Sequence, residues 1–328
     1  MPESTPITSP IWPLLRVSGL RKHFGGVRAL DGVDFELWAG QCVALIGPNG
    51  AGKSTCFAAL CGQQKPDSGQ VLWLGGLRSE PTSEAISAAT SVATTEATTE
   101  AISGQGANQT LPSRKQAMPA SVAYTGPSRN ITGWSASDLA ALGIGRTFQV
   151  AQVFEALDVL SNVQLAMTAS RRHSGFLPLK SQNCDAAHAL LAQVGLGQQA
   201  SAHANALPYG AKKRLELAIA LAGKPALLLL DEPAAGLAVP ERHALMALVK
   251  QLCAGGMAVL YTEHNMDAVF GVADRVLVLI DGCIAAAGSP HDIAGNAVVK
   301  SRYLGTHFIE QISPVARVGA NTAQDQNA

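Results

Sequence analysis

Gly47-Pro48-Asn49-Gly50-Ala51-Gly52-Lys53-Ser54-Thr55 fits the phosphate-loop pattern G-x-x-x-x-G-K-[ST] at every fixed position. The run before it, Gln41 to Ile46, is short and apolar and suits a buried parallel strand. The run after it, Ser54 to Cys61, lacks Gly and Pro and can be helical. The pattern therefore has the context it needs: strand, Gly-rich loop, helix. A triphosphate carries several negative charges. Gly47, Gly50 and Gly52 let backbone N–H groups turn inward around it, with Pro48, Asn49 and Ala51 between them. The helix opening near Gly52 adds its positive end. Lys53 would place an ammonium near the β- and γ-phosphates. Ser54 would offer its hydroxyl to Mg²⁺, and Thr55 would sit near the α-phosphate. The loop says "binds a nucleoside triphosphate" and leaves the purpose open.

Working outward, Leu227-Leu228-Leu229-Leu230-Asp231-Glu232-Pro233 is an apolar run ending in two acids. Ligands of open α/β sheets bind at the carboxyl ends of strands, which would bring both acids beside the loop. Asp231 can hold Mg²⁺, usually through water. Glu232 can orient or deprotonate an attacking water, a role typically worth about 10²–10⁴-fold. Two surface acids after a core strand is the plain alternative. Ala258-Val259-Leu260-Tyr261-Thr262 reads as another buried strand, followed by Glu263-His264-Asn265. His264 at that strand end could reach the γ-phosphate. Gln149, after a short helix at 137–142, could sense Mg²⁺ and water.

The 328 residues carry 24 basic and 24 acidic side chains, so zero formal net charge gives no electrostatic case for nucleic acid. The six cysteines, Cys42, Cys56, Cys61, Cys184, Cys253 and Cys283, form no C-x-x-C pair. They read as free buried thiols of a reducing compartment rather than a disulfide frame or metal site. Met1 to Pro13 has no apolar core of a signal peptide. The longest apolar runs, such as Pro225 to Leu230 and Val276 to Ile280, are far below the roughly 18–20 residues that span a bilayer. Any membrane role must come through a partner.

Strands are expected at Leu14–Val17, Val33–Leu37, Gln41–Ile46 and Gln70–Leu74, then at Ala226–Leu230, Ala258–Tyr261 and Arg275–Ile280. Helices are expected at Ser137–Leu142, capped by Ser135 or Ser137, and at Leu160–Met167, Asp185–Val194, Leu215–Leu221 and Pro240–Cys253. Alternation of the two implies an α/β parallel sheet. Between Leu77 and Arg129 the chain turns to Ala, Ser, Thr, Gly, Pro and Gln, with Thr82–Ser87 nearly repeated at Thr99–Ser103. Such a segment cannot offset its ordering entropy and reads as a disordered insertion. Loop closure adds only about 0.6 kcal/mol per doubling of length, so the fold tolerates it.

At this point the residues resemble a family. The phosphate loop, Gln149, Leu207-Pro208-Tyr209-Gly210-Ala211-Lys212-Lys213-Arg214-Leu215-Glu216, Asp231-Glu232-Pro233 and Glu263-His264 stand in the order of ATP-binding cassette (ABC) ATPases. Gly143-Ile144-Gly145-Arg146-Thr147-Phe148-Gln149, the L-x-Y-G signature, Pro233-Ala234-Ala235-Gly236-Leu237 and the ending Ala297 to Gly305 resemble the ATP-binding subunit of branched-chain amino acid importers. The resemblance covers about 14–76 and 131–308. It implies an α/β P-loop NTPase of RecA-like type, with an antiparallel β subdomain and a helical subdomain. The implied division is a disordered 1–13, an ATPase domain over 14–308 holding the 77–129 insertion and the helical subdomain 150–214, and a largely disordered tail, 309–328.

The resemblance further implies ATP and Mg²⁺ as cofactors. Glu232, His264 and Gln149 would be catalytic, and Ser54, Gln149 and Asp231 would hold the metal. Phe24 would stack on adenine; a small core aromatic is the alternative. A second ATPase subunit would bring its Tyr209 and Gly210 to the γ-phosphate. Partners would be permease subunits and, indirectly, a periplasmic solute-binding protein, with the chain peripheral on the cytoplasmic face of the inner membrane. Some positions depart from the family. Pro208 replaces the signature serine, Tyr209 a glycine, Ala211 a glutamine, Ala238 an Asn or Asp, and Asn265 an Asp. Alternatives are another transported solute (urea or amides, aromatic acids, lipopolysaccharide), a soluble non-transport ABC ATPase, a P-loop kinase or GTPase, and a cassette that binds ATP with little turnover.

Overall fold

The computed structural model describes residues 13–75, 128–170 and 183–304. The chain divides into two units, residues 1–74 with 128–328, and residues 75–127. The second lies outside the described residues apart from Gly75. So do the expected disordered ends, apart from Pro13, and most of the expected insertion.

Strands β1 (Pro13–Phe24), β2 (Val27–Trp38), β4 (Ser68–Trp73) and β5 (Arg129–Asn130) form an antiparallel sheet in the order β2-β1-β4-β5. A second sheet orders β10 (Cys283–Gly288), β9 (Arg275–Ile280), β3 (Cys42–Ile46), β8 (Ala258–Thr262), β7 (Leu227–Asp231) and β6 (Ile144–Arg146). In this sheet β9, β3, β8, β7 and β6 run parallel, and β10 returns antiparallel to β9.

Both faces of the parallel strands are covered, and their residues alternate between two cores. Ala44, Ile46, Leu228, Leu230, Val259, Tyr261, Val276 and Val278 point into one. There they meet residues of the helices Val159–Ser170, Cys184–Gln193, Tyr209–Leu221 and Val239–Ala254. Val43, Leu45, Leu229, Leu260, Leu277 and Leu279 point into the other, against Leu15, Val17, Phe35 and Trp73 of the antiparallel sheet and Phe57 and Leu60 of the helix Lys53–Leu60. Burying each such side chain is worth about 1.5–3 kcal/mol, so the phosphate-loop strand is held from both sides.

Several boundaries differ from the sequence expectation. Strands β1 and β2 run well past the apolar clusters that marked them, because opposed charges continue the ladder. Arg21 pairs with Asp31 at 3.3 Å directly across the two strands beyond those clusters, as Arg16 does with Glu36 at 2.6 Å within them. Arg129, expected inside the insertion, pairs with Trp73 in the sheet, and Pro13 opens β1. Two residues are too few to show a period. The helix expected from Leu215 begins at Tyr209 and runs unbroken to Leu221, across residue 214. Pro208 precedes it as N-cap. Ser135, of the two serines considered, caps the helix Ala136–Ala141.

Candidate functional site

Strand β3 delivers the chain to Gly47 in the middle of the parallel strands. A Cβ on Gly47 would lie 2.0 Å from the Leu279 carbonyl oxygen, and one on Gly52 would lie 2.2 Å from that of Ala29. Gly52 also has φ +102°, so neither site accepts another residue. The first bond of the following helix runs from Cys56 N–H to the Gly52 carbonyl at 2.8 Å. The amides of Lys53, Ser54 and Thr55 therefore have no acceptor within the helix and are free for an anion. Lys53 is buried, and its Nζ donates to the carbonyls of Gly47 (2.7 Å) and Pro48 (3.0 Å). Burial pushes its ammonium pKa down, while Glu232 and Asp231 push it back up.

The acids sit where β7 ends, one strand removed from β3 with β8 between. Thr262, at the end of β8 and 1% exposed, bridges them. Its hydroxyl donates to Asp231 Oδ1 at 2.7 Å and accepts from Glu232 N–H at 2.9 Å. Glu232 itself has φ +46°, a left-handed conformation that costs a non-glycine residue about 1–2 kcal/mol. The turn swings its carboxylate toward His264 and Gln149. His264 Nε2 lies 2.9 Å from Glu232 Oε1, and Gln149 Nε2 donates to Glu232 Oε2 at 3.2 Å. Glu263 fixes the turns around them: its carboxylate accepts from Ala234 N–H (2.9 Å) and His264 N–H (3.2 Å). Burial raises its pKa above the usual carboxylate range.

Phe24, at the tip of β1, is 45% exposed, which removes the core-aromatic alternative. Asp67 secures that tip, bonding Lys22 Nζ at 2.8 Å and His23 N–H at 2.7 Å. Tyr209 and Gly210 start the helix Tyr209–Leu221. Among the described residues no hydrogen bond or ion pair joins them to the loop 47–55 of their own chain. Tyr209 lies against Gly236, where an added Cβ would be 3.2 Å from its ring. Gly210 faces the Glu241 carboxylate. Asn265, in place of the family's aspartate, caps the helix Met266–Phe270 by accepting from Ala268 N–H at 3.1 Å. Either residue does this equally well.

The oxygens of Ser54, Asp231 and the Gln149 amide are hard donors of the kind that hold Mg²⁺ alongside waters and phosphate, so the residues fit that ion. No cluster of three or more His, Cys, Asp or Glu able to hold a metal by themselves occurs among the described residues. Cys42, Cys56, Cys61 and Cys253 are buried free thiols as expected, whereas Cys283 is exposed and Cys184 half-buried. No helix among the described residues is long and apolar enough to cross a membrane. Sequence reading missed Thr262, the role of Glu263, Asp67, and the pair Lys213 and Glu216.

A family model described as ABC transporter matches residues 30–235. The chain is 31% identical over 303 residues to the high-affinity branched-chain amino acid transport ATP-binding protein LivG of Escherichia coli K12, covering 89% of this chain and 98% of that one. It is 30% identical over 306 residues to the corresponding protein BraF of Pseudomonas aeruginosa PAO1, with the same two coverages of 89% and 98%. Among solved structures, the ADP conformation of MJ1267, an ATP-binding cassette of an ABC transporter, matches with a TM-score of 0.67 and 25% identity over 89% of this chain and 99% of that one. The dimeric cassette MJ0796 bound to ADP and Pi matches with a TM-score of 0.60 over 84% of this chain and 98% of that one. At 20% identity it bears on the fold alone.

Proposed function

This chain belongs to the ABC transporter ATP-binding family, and on that premise we propose that it hydrolyses ATP to drive an importer of branched-chain amino acids or related small polar solutes. The observation that carries the reading is the convergence of Lys53, Asp231, Glu232, His264 and Gln149 at one end of the parallel strands. The solute class rests on the names of the relatives.

The loop amides and Lys53 bind the phosphates, and on nucleotide entry the ammonium exchanges the carbonyls of Gly47 and Pro48 for phosphate oxygens. Phe24 offers its face to the base. Ser54, Asp231 and Gln149 would hold Mg²⁺, which would supply positive charge against the transferring phosphoryl group. Glu232 orients the attacking water and draws its proton at Oε1 or Oε2. His264, already on that carboxylate, holds it and reaches the γ-phosphate. Catalysis is then mainly positioning and electrostatics. A second cassette completes each site with its Tyr209 and Gly210, so ATP favours the closed dimer. The subunit is peripheral on the cytoplasmic face of the membrane. It works on separate permease subunits, and indirectly on a periplasmic binding protein.

The test is Mg-ATP turnover by purified chain together with co-purification of a polytopic membrane protein. Labelled leucine uptake by cells carrying that pair, competed by valine, then reads the solute. Failure to bind Mg-ATP would falsify the catalytic reading, and ATP-dependent uptake indifferent to leucine, isoleucine and valine would overturn the solute.

A further inference from the structure

Past the sheet bond from Thr147 N–H to the Leu229 carbonyl (2.9 Å), the chain leaves β6 to present Gln149. Residues 147–154 carry no helix or strand. Two side chains of the helix Tyr209–Leu221 grip this stretch by its main chain. Lys213 Nζ donates to the carbonyls of Phe148 (2.9 Å) and Gln149 (2.7 Å). Glu216 Oε1 accepts from Phe148 N–H (2.8 Å) and Gln152 N–H (3.4 Å), while its Oε2 lies 3.4 Å from Lys213 Nζ. The side chains are 2% and 3% exposed.

A buried ion pair seldom adds stability for its own sake, because desolvation opposes the attraction. This pair instead spends its donors and acceptors on a segment with no ladder of its own. Behind it a void no larger than a single water lies between Lys213, Glu216, Thr147 and Leu230. Thr147 Oγ1 is buried there without a hydrogen-bond partner among the described residues. The grip continues into the site, since the Gln149 side chain reaches Glu232 at 3.2 Å.

We propose that Lys213 and Glu216 are positioning residues for ATP hydrolysis. They fix the main chain of 148–152 so that Gln149 meets Glu232, and they tie that geometry to the orientation of the helix that begins at Tyr209. The inference rests on the ATPase reading above. Neither side chain touches nucleotide; each acts through Gln149. A rotation of this helix would move the Gln149 main chain with it.

The experiment is a double-mutant cycle on purified full-length chain. It reads Mg-ATP turnover, the dissociation constant of a fluorescent ATP analogue, and Tm. Lys213→Met keeps the aliphatic stem and removes the ammonium. It is expected to lower kcat about 10- to 100-fold, the cost of a misplaced catalytic group, with nucleotide affinity within about twofold of the parent. Lys213→Arg, which restores a cation in reach of both carbonyls, is expected to recover most of the turnover. In a Gln149→Ala background Lys213→Met should cost less than about twofold more, because its effect is already lost. Fully multiplicative losses, a collapse of nucleotide affinity, or a lowered Tm with unchanged kcat would overturn the proposal. If Lys213→Met yields no folded chain, the isosteric Glu216→Gln decides by the same cycle, and turnover equal to the parent's would count against it. A parent chain that binds no Mg-ATP would instead remove the ATPase reading beneath it.

Discussion

Replacing Thr262 by Val keeps the shape of a fully buried side chain and deletes one hydroxyl. The structure gives that hydroxyl two partners: Asp231 Oδ1 at 2.7 Å and Glu232 N–H at 2.9 Å. A hydrogen bond to a charged acceptor is worth about 1.5–3 kcal/mol, and an orphaned buried N–H costs about 1–3 kcal/mol. Asp231 and Glu232 are both half-buried, so water replaces part of each loss. A net cost of about 3 kcal/mol follows, toward the low end of the summed range. For a folded unit of this size that lowers Tm by roughly 6–12 °C. The functional effect is separate. Glu232 keeps its left-handed φ of +46° partly through that N–H bond. Without it the turn relaxes and the carboxylate drifts from His264 and Gln149, so turnover falls at least tenfold among folded molecules. Thr262→Ser retains the hydroxyl and should retain turnover. Thermal unfolding and steady-state ATPase assays on the three proteins check this. A Thr262→Val chain within 2 °C of the parent and equally active would refute the bridging role. So would a Thr262→Ser chain as impaired as Thr262→Val.

Other outcomes are set by the same geometry. Glu232→Gln should bind Mg-ATP like the parent and turn over about 10²–10⁴-fold more slowly; parental turnover would remove Glu232 as the base. Gly52→Ala forces a Cβ within 2.2 Å of the Ala29 carbonyl oxygen at φ +102°. Nucleotide affinity measured by equilibrium dialysis should fall more than tenfold, and an unchanged affinity would contradict the loop geometry. Glu263→Gln tests a pH slope. Burial raises the Glu263 pKa in the fold above its ordinary 4.5. Above that pH the unfolded chain loses the proton first, so the wild type loses stability as pH rises toward the folded pKa. Glutamine has no such slope. The Tm of Glu263→Gln minus that of the wild type should therefore increase from pH 4.5 upward, and a flat or falling difference would show that the carboxyl is not destabilised by burial.

What could be read in the sequence was what is local. The loop 47–55 announces itself because every group it needs lies within nine consecutive residues. Asp231 and Glu232 are legible because an apolar run stops at them. Thr262 closes a run of Ala, Val, Leu and Tyr and reads as one more β-branched strand residue; only the sheet order reveals that its neighbour strand ends in acids. Lys213 and Glu216 stand three apart on a helix, the spacing of an ordinary solvated pair, yet their side chains are 2% and 3% exposed. Strand β6 was missed because three residues, one of them glycine, show no period. Gly145 is required there by close packing, since an added Cβ would lie 2.9 Å from the Ala220 carbonyl oxygen.

Pro208 bears on the proposed function in a way its side chain alone does not suggest. In place of serine it removes a hydroxyl and an amide, which reads as the loss of donors for a partner's phosphate. The structure makes it the N-cap of a 13-residue helix, with its carbonyl accepting from the amides of both Ala211 and Lys212 at 3.0 Å. The helix therefore closes without a capping hydroxyl. The amides of Tyr209 and Gly210 lie ahead of that first bond and have no intrahelical acceptor. At Gly210 an added Cβ would lie 2.5 Å from Glu241 Oε1, so a side chain there would displace that carboxylate. The same Glu241 accepts from Ala238 N–H at 3.3 Å, so its carboxylate lies between the start of this helix and the turn that follows the acids. On the proposed reading, the substitution takes the serine hydroxyl and amide from the signature and leaves it the Tyr209 and Gly210 amides and the helix's positive end.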